Sequence, residues 1–132
     1  MSLKNRILMT GSTGCIGSHA VNILLSDGNS EVFGFNRSVP EAGSGRDGYH
    51  LITGDLSDTR SVEQAVLKVA PTHVIHLGAL QTPDCRDFPM KGMEVNVLGT
   101  ANLFKACTKL KHPLERFVFA SSSAVNGARS LY

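Results

Sequence analysis

The sequence predicts an α/β fold: a doubly wound parallel sheet of about five strands in the order 3-2-1-4-5, with helices on both faces. Three observations carry that expectation. Short apolar runs alternate with segments of helical periodicity along the 132 residues. The strand cores, Ile7-Leu8-Met9 and Val32-Phe33-Gly34-Phe35, are apolar almost throughout, as in a parallel sheet covered on both sides. Between the first strand and the first helix lies Thr10-Gly11-Ser12-Thr13-Gly14-Cys15-Ile16-Gly17, a tight glycine turn feeding a helix N-terminus. Right-handed crossovers then place a ligand crevice outside the carboxyl ends of strands 1 and 4, where the winding reverses.

Strand 1 is expected over residues 6–9. The first helix covers 15–26, with Ile16, Ala20, Ile23 and Leu24 on its apolar face, and Asp27-Gly28-Asn29 stops it. Strand 2 is 31–35. Residues 38–48 carry three glycines and one proline, which reads as a surface loop with no room for a good helix. Strand 3 is 49–53. Ser57 or Asp58 caps a helix whose face is Val62, Ala65, Val66 and Val69, closed by Pro71. Strand 4 is 73–77, followed by a polar loop over 78–88. Pro89 opens a long helix to about residue 110, with Met93, Val97, Ala101, Phe104 and Cys107 or Thr108 stacked on one side. Strand 5 is 116–120.

Composition narrows the class. A net charge of +2 is too small to argue for nucleic acid or an anionic membrane as partner. No apolar run has transmembrane length, and no signal peptide is evident. Cys15, Cys85 and Cys107 have no CxxC spacing and fit free thiols in a reducing, cytoplasmic setting. His73 and His76 are three apart in a strand, so period-2 alternation separates them, and no metal site is expected. There is no Gly-x-Ser-x-Gly elbow and no Lys-Ser or Lys-Thr pair after the glycines, which disfavours a serine hydrolase or a nucleoside-triphosphate loop.

The glycine turn gives the chemistry. Gly11 turns the chain off the strand, Gly14 lets a pyrophosphate reach the backbone, and Gly17 lets the helix pack close to the sheet. Thr13, Cys15 and Ile16 complete the loop as cofactor contacts. Asn36 lies 19 residues after Gly17, at the tip of strand 2, where a dinucleotide site meets the adenosine ribose. An acidic residue there would hold the 2′-OH of NAD. The neutral Asn36, with Arg37 and Ser38, predicts NADP in preference to NAD, because a guanidinium binds a phosphate bidentately. The same three residues could instead begin a solvated turn.

These residues resemble a known family. Thr10-Gly11-x-x-Gly14-x-x-Gly17 is similar to the nucleotide loop of extended short-chain dehydrogenases/reductases, the NAD(P)-dependent epimerase/dehydratase family. Gly54-Asp55-Leu56-x-Asp58, His76-Leu77-Gly78-Ala79, Val95-Asn96-Val97-x-Gly99-Thr100 and Phe117 to Ser123 with Val125 and Gly127 follow in the family's order. The resemblance implies a Rossmann-type domain binding NAD(P) and a substrate, chiefly a nucleotide sugar. It implies that Asp55 and Leu56 contact the adenine, that Leu77, Gly78, Ala79 and Gln81 line the cofactor, and that Asn96 supports the active-site hydrogen bonds. Ser122 aligns with the family's catalytic hydroxyl, with Ser123 as the fallback. Each has a plain alternative: Asp55 as a turn or capping residue, Asn96 as a paired structural amide, the serines as a turn.

The chain departs from the family's pattern at Gly78, where an alanine is usual, at Asn126, where a tyrosine is usual, and most of all in its acid/base residues. The acid/base pair Tyr-x-x-x-Lys does not occur in these 132 residues, and Tyr132 has no Lys behind it. The expectation is therefore the NAD(P)-binding first part of a longer, oxidoreductase-type enzyme, catalytically incomplete by itself. A short NAD(P)-sensing or partner-binding module is the alternative. The family pairs its long helix with a second copy, which implies a homodimer through residues 90–110 and an exposed apolar stripe there.

Overall fold

The computed structural model describes residues 4–38, 45–122 and 125. Five parallel strands form one sheet in the order β3-β2-β1-β4-β5. The strands are β1 (Asn5–Thr10), β2 (Ser30–Asn36), β3 (Tyr49–Thr53), β4 (His73–His76) and β5 (Arg116–Phe119). The winding reverses between β1 and β4, whose residues Leu8 and Val74 are paired in register. The predicted order is the observed one.

Side chains alternating across β1 build two cores. Ile7 and Met9 face one side with Val21 of helix α1 (Cys15–Ser26) and Val32. Leu8 faces the other, under Val62, Ala65, Val66 and Val69 of α2 (Thr59–Val69) and Leu103 and Ala106 of α5 (Gly99–Cys107). Asp58 caps α2 by accepting from Arg60 N at 2.9 Å, and Ala70 closes it in the left-handed conformation.

Three expectations are corrected. The buried line of α1 is Gly17 and Val21, flanked by Ala20, Leu24 and Leu25, while Ile16 and Ile23 are exposed. The helix meets the sheet at Gly17, a residue with no weight in an apolar count, and 3.6 residues per turn swing the two isoleucines outward. The 78–88 loop contains a short helix, α3 (Thr82–Asp87), because Pro83 sits in its first turn.

The long helix is not uniform. It runs as α4 (Pro89–Gly92), a π-helical segment (Met93–Leu98) and α5. Its buried line is Gly92, Val95, Gly99, Leu103 and Ala106. The predicted stack of Met93, Val97, Ala101 and Phe104 is exposed, with the Phe104 ring stacked on Phe117 of β5 at 4.5 Å. Gly99 is again the point of closest approach: a Cβ there would lie 2.9 Å from Leu56 Cβ. The exposed stripe is thus present, as expected. Among the described residues no helix is long and apolar enough to cross a membrane.

Candidate dinucleotide site

The glycine loop is held from both sides. Gly11 has φ +69°, and a Cβ on it would lie 2.9 Å from Gly78 N, so both the turn and the approach of the loop after β4 need glycine. Gly17 sits directly beneath: its Cβ would fall 2.1 Å from Gly11 O. Gly14 leads into α1 in extended conformation and supplies no side-chain cap. The first N–H groups of α1 and the positive end of its dipole therefore point out of the loop, an arrangement that favours an anion.

At the tip of β2, Asn36 is buried and turned toward the loop. Its Oδ1 accepts from Thr13 N and Thr13 Oγ1, both at 3.3 Å. Because a backbone N–H can only donate, the oxygen faces Thr13 and Nδ2 donates to Ser12 Oγ at 2.8 Å. Arg37 and Ser38 are exposed beside it.

Past β3, Asp55 Oδ1 accepts from Ser57 Oγ at 2.7 Å and Ser57 N at 2.8 Å. These bonds, the hydroxyl's first, hold the carboxyl below its ordinary value, with Lys91 and Arg37 adding smaller favourable fields against the cost of burial. Asp55 is an ionised acceptor at neutral pH.

A buried chain of bonds joins β1, β4 and the π-helical segment. Thr10 Oγ1 accepts from Gly78 N at 2.9 Å and Leu77 N at 3.2 Å. Its own proton therefore goes to His76 Nδ1, 2.6 Å away. His76 Nε2 then carries the ring proton and donates to Thr100 Oγ1 at 2.9 Å, which donates to Asn96 O at 2.7 Å. Burial pushes the His76 imidazole below its usual range and keeps it neutral. This single chain of bonds fixes the strand ends on both sides of the crevice.

Asn96 acts through its side chain as well. Its Oδ1 accepts from Leu80 N at 2.7 Å, and Nδ2 donates to Leu80 O at 3.0 Å and to Cys85 Sγ at 3.4 Å. The amide imitates a strand partner and pins the loop after β4. A π-helical turn, which shifts the helix register by one residue, presents it there.

The crevice outside β1 and β4 has a volume of about 300 Å³. It gathers the predicted Gly11, Thr13, Gly14, Asn36, Arg37, Ser38, Asp55, Leu56, Leu77, Gly78, Ala79 and Gln81. Cys15, Ile16 and Gly17 are not in its wall; the first two are exposed at the start of α1 and Gly17 lies under the loop. Nor is Asn96, which holds the wall from behind through Leu80. Ser122 is exposed past the end of β5, its carbonyl accepting from Val125 N at 3.3 Å, and it does not line the crevice. Ser123 and Tyr132 lie outside the described residues. Phe35, Gly54, Leu80 and Val95 complete the wall. Gly54 and Val95 stand inside motifs quoted above without an assigned contact, Leu80 opens the loop after β4 from which the family resemblance draws substrate contacts, and Phe35 had no signal beyond its place in strand 2. The sequence reading missed Ser12, Tyr49 and the His76 chain, for which period and spacing offer no signal.

Fold and crevice together define a dinucleotide-binding type of α/β domain. Comparison with known proteins is more specific: residues 7–130 match the NAD dependent epimerase/dehydratase family, and the chain belongs to it. It is similar to UDP-glucose 4-epimerase of Pisum sativum, with 33% identity over 94% of this chain and 38% of the relative. Among solved structures, the Thermus thermophilus UDP-glucose 4-epimerase complex with NAD aligns with a TM-score of 0.76 and 36% identity, over 89% of this chain and 37% of that one. The Bordetella bronchiseptica enzyme WbmG, in complex with NAD and UDP, aligns at 0.75 and 28%, over 88% and 37%. The chain thus spans less than two fifths of the length of each of these relatives.

Proposed function

We propose that this domain binds NADP, in preference to NAD, for an epimerase, dehydratase or reductase that acts on a nucleotide sugar. One observation carries the reading: motifs separated in sequence meet in a single crevice at the carboxyl ends of β1 and β4. The group fits the residues present. The pyrophosphate would lie over Gly11 to Gly14, the adenine near Asp55 and Leu56, the ribose at Asn36, Arg37 and Ser38, and the nicotinamide end along Gly78, Ala79 and Gln81. Where an NAD site presents an acceptor to the ribose, this chain presents a guanidinium and a hydroxyl, and the Asn36 oxygen is already committed to Thr13. When bound, the nicotinamide supplies a reversible hydride acceptor for a sugar carbinol.

Ser122 would hold the substrate oxygen, and turnover would need an acid/base pair of the Tyr-x-x-x-Lys kind, which these 132 residues do not contain. WbmG in complex with NAD and UDP, and the similarity to a UDP-glucose 4-epimerase, support a UDP-sugar as the substrate class. The exposed Met93, Val97 and Phe104 support self-association through the 90–110 helix, which sedimentation would register as a dimer.

Calorimetric titration of the full-length protein tests the cofactor reading. NADP should bind more tightly than NAD, and Arg37→Ala should cut that preference about tenfold, as for loss of a charge-assisted hydrogen bond. Tighter binding of NAD, with a ratio indifferent to Arg37→Ala, would overturn it.

A further inference from the structure

Ser12, in the glycine loop, is buried, 1% exposed, and its hydroxyl has two partners from other elements. Asn36 Nδ2 donates to it at 2.8 Å. The Tyr49 hydroxyl, from the start of β3, meets it at 2.7 Å. Tyr49 reaches the loop by crossing β2 at Gly34. A Cβ on Gly34 would lie 2.1 Å from Ser12 Oγ and 2.9 Å from the Tyr49 hydroxyl. Gly34 is therefore a notch in the middle strand through which β3 touches the loop after β1.

We propose that Tyr49 is a positioning residue for the dinucleotide loop, bracing it through Ser12 in the Gly34 notch. The inference rests on the dinucleotide reading of the crevice and adds a residue outside its wall. The mechanism is a fixed sequence of hydrogen bonds. Tyr49 bonds Ser12, Ser12 accepts from the Asn36 amide, and the Asn36 oxygen accepts from Thr13 N and Oγ1. Each link sets the orientation of the next, so the backbone of residues 12 and 13 is anchored to β2 and β3 before any ligand arrives. A loop held in its binding conformation spends less free energy on ordering when an anion binds. Removal of the phenol oxygen leaves the buried Ser12 hydroxyl short of a partner and the loop less constrained.

Tyr49→Phe in the full-length protein removes only that oxygen. Its Kd for NADP and for NAD should each rise about 3- to 10-fold, as for loss of one net hydrogen bond, because the loop serves the pyrophosphate common to both. The measurement is made at a temperature where circular dichroism shows wild type and variant fully folded. There a merely structural role would lower the unfolding midpoint and leave both Kd values unchanged. Ser12→Ala, which also takes the acceptor from Asn36 Nδ2, should weaken binding at least as much as Tyr49→Phe, and the double variant should bind no more weakly than Ser12→Ala alone. Should Tyr49→Phe fail to fold, Ser12→Ala carries the comparison. Binding by the folded variants within twofold of wild type would overturn the brace and leave the cofactor reading intact. A folded wild type that binds neither dinucleotide would overturn both.

Discussion

Replacing Asn96 distinguishes a residue that touches ligand from one that holds the wall behind it. In Asn96→Ala, Leu80 N–H and C=O lose partners at 2.7 and 3.0 Å. Each bond is worth about 0.5–1.5 kcal/mol net, and Leu80 is only half-buried, so water recovers part of the desolvation cost; the sum is about 2 kcal/mol. The loss is local, in the loop after β4. Native-state hydrogen exchange should therefore show the Leu80 amide deprotected roughly 30-fold, since about 1.4 kcal/mol is tenfold. Dinucleotide affinity should fall with it, because Leu80 lines the crevice. Asn96→Asp sharpens the test. One carboxylate oxygen still accepts from Leu80 N, but the other faces Leu80 O, so the variant should be weakest at neutral pH and recover as the carboxyl protonates in acid. Unchanged Leu80 protection in Asn96→Ala alongside lost dinucleotide affinity would contradict this account and make Asn96 a direct contact.

Two further outcomes follow from the same geometry. Gly17→Ala places a Cβ 2.1 Å from Gly11 O and 2.7 Å from Ser12 Cα. Helix α1 or the loop must move by about 1 Å, at a cost of about 1–3 kcal/mol. Urea unfolding should register that loss, and a wild-type midpoint would show the contact to be soft. His76 sets a pH window. Burial holds its folded pKa below the 6.5 of the unfolded chain, so below that pH the unfolded state binds the proton that the folded state refuses. Its stability contribution is complete above about pH 6.5 and is lost as pH falls toward the folded value. The urea midpoint should drop through that range in wild type, and the slope should shrink in His76→Gln; an equal slope in both would remove His76 from the account.

Much of the architecture was legible because it depends on short-range chemistry. Apolar strands alternating with helices, and glycines at a strand-to-helix turn, are properties of neighbours in sequence. The 3-2-1-4-5 order follows once right-handed crossovers are imposed. The crevice was legible for the same reason, since doubly wound sheets place it at the reversal of winding. The helix faces were not. On α1 and on the 89–107 helix the contact line runs through Gly17 and Gly99, which score as neither apolar nor polar, and the bulky residues beside them point to solvent.

Fold class, family resemblance and most residues of the crevice wall were readable before any coordinates, because each rests on a local motif. What those residues do to one another emerged only with the chain folded. Folding turned the Asn36 oxygen inward to Thr13, set Asn96 behind the wall on Leu80, and joined Tyr49 to Ser12 across 37 residues of chain. A buried polar atom must find a partner, and which partner lies within about 3 Å is settled by how strands stack across the sheet rather than by their order along it.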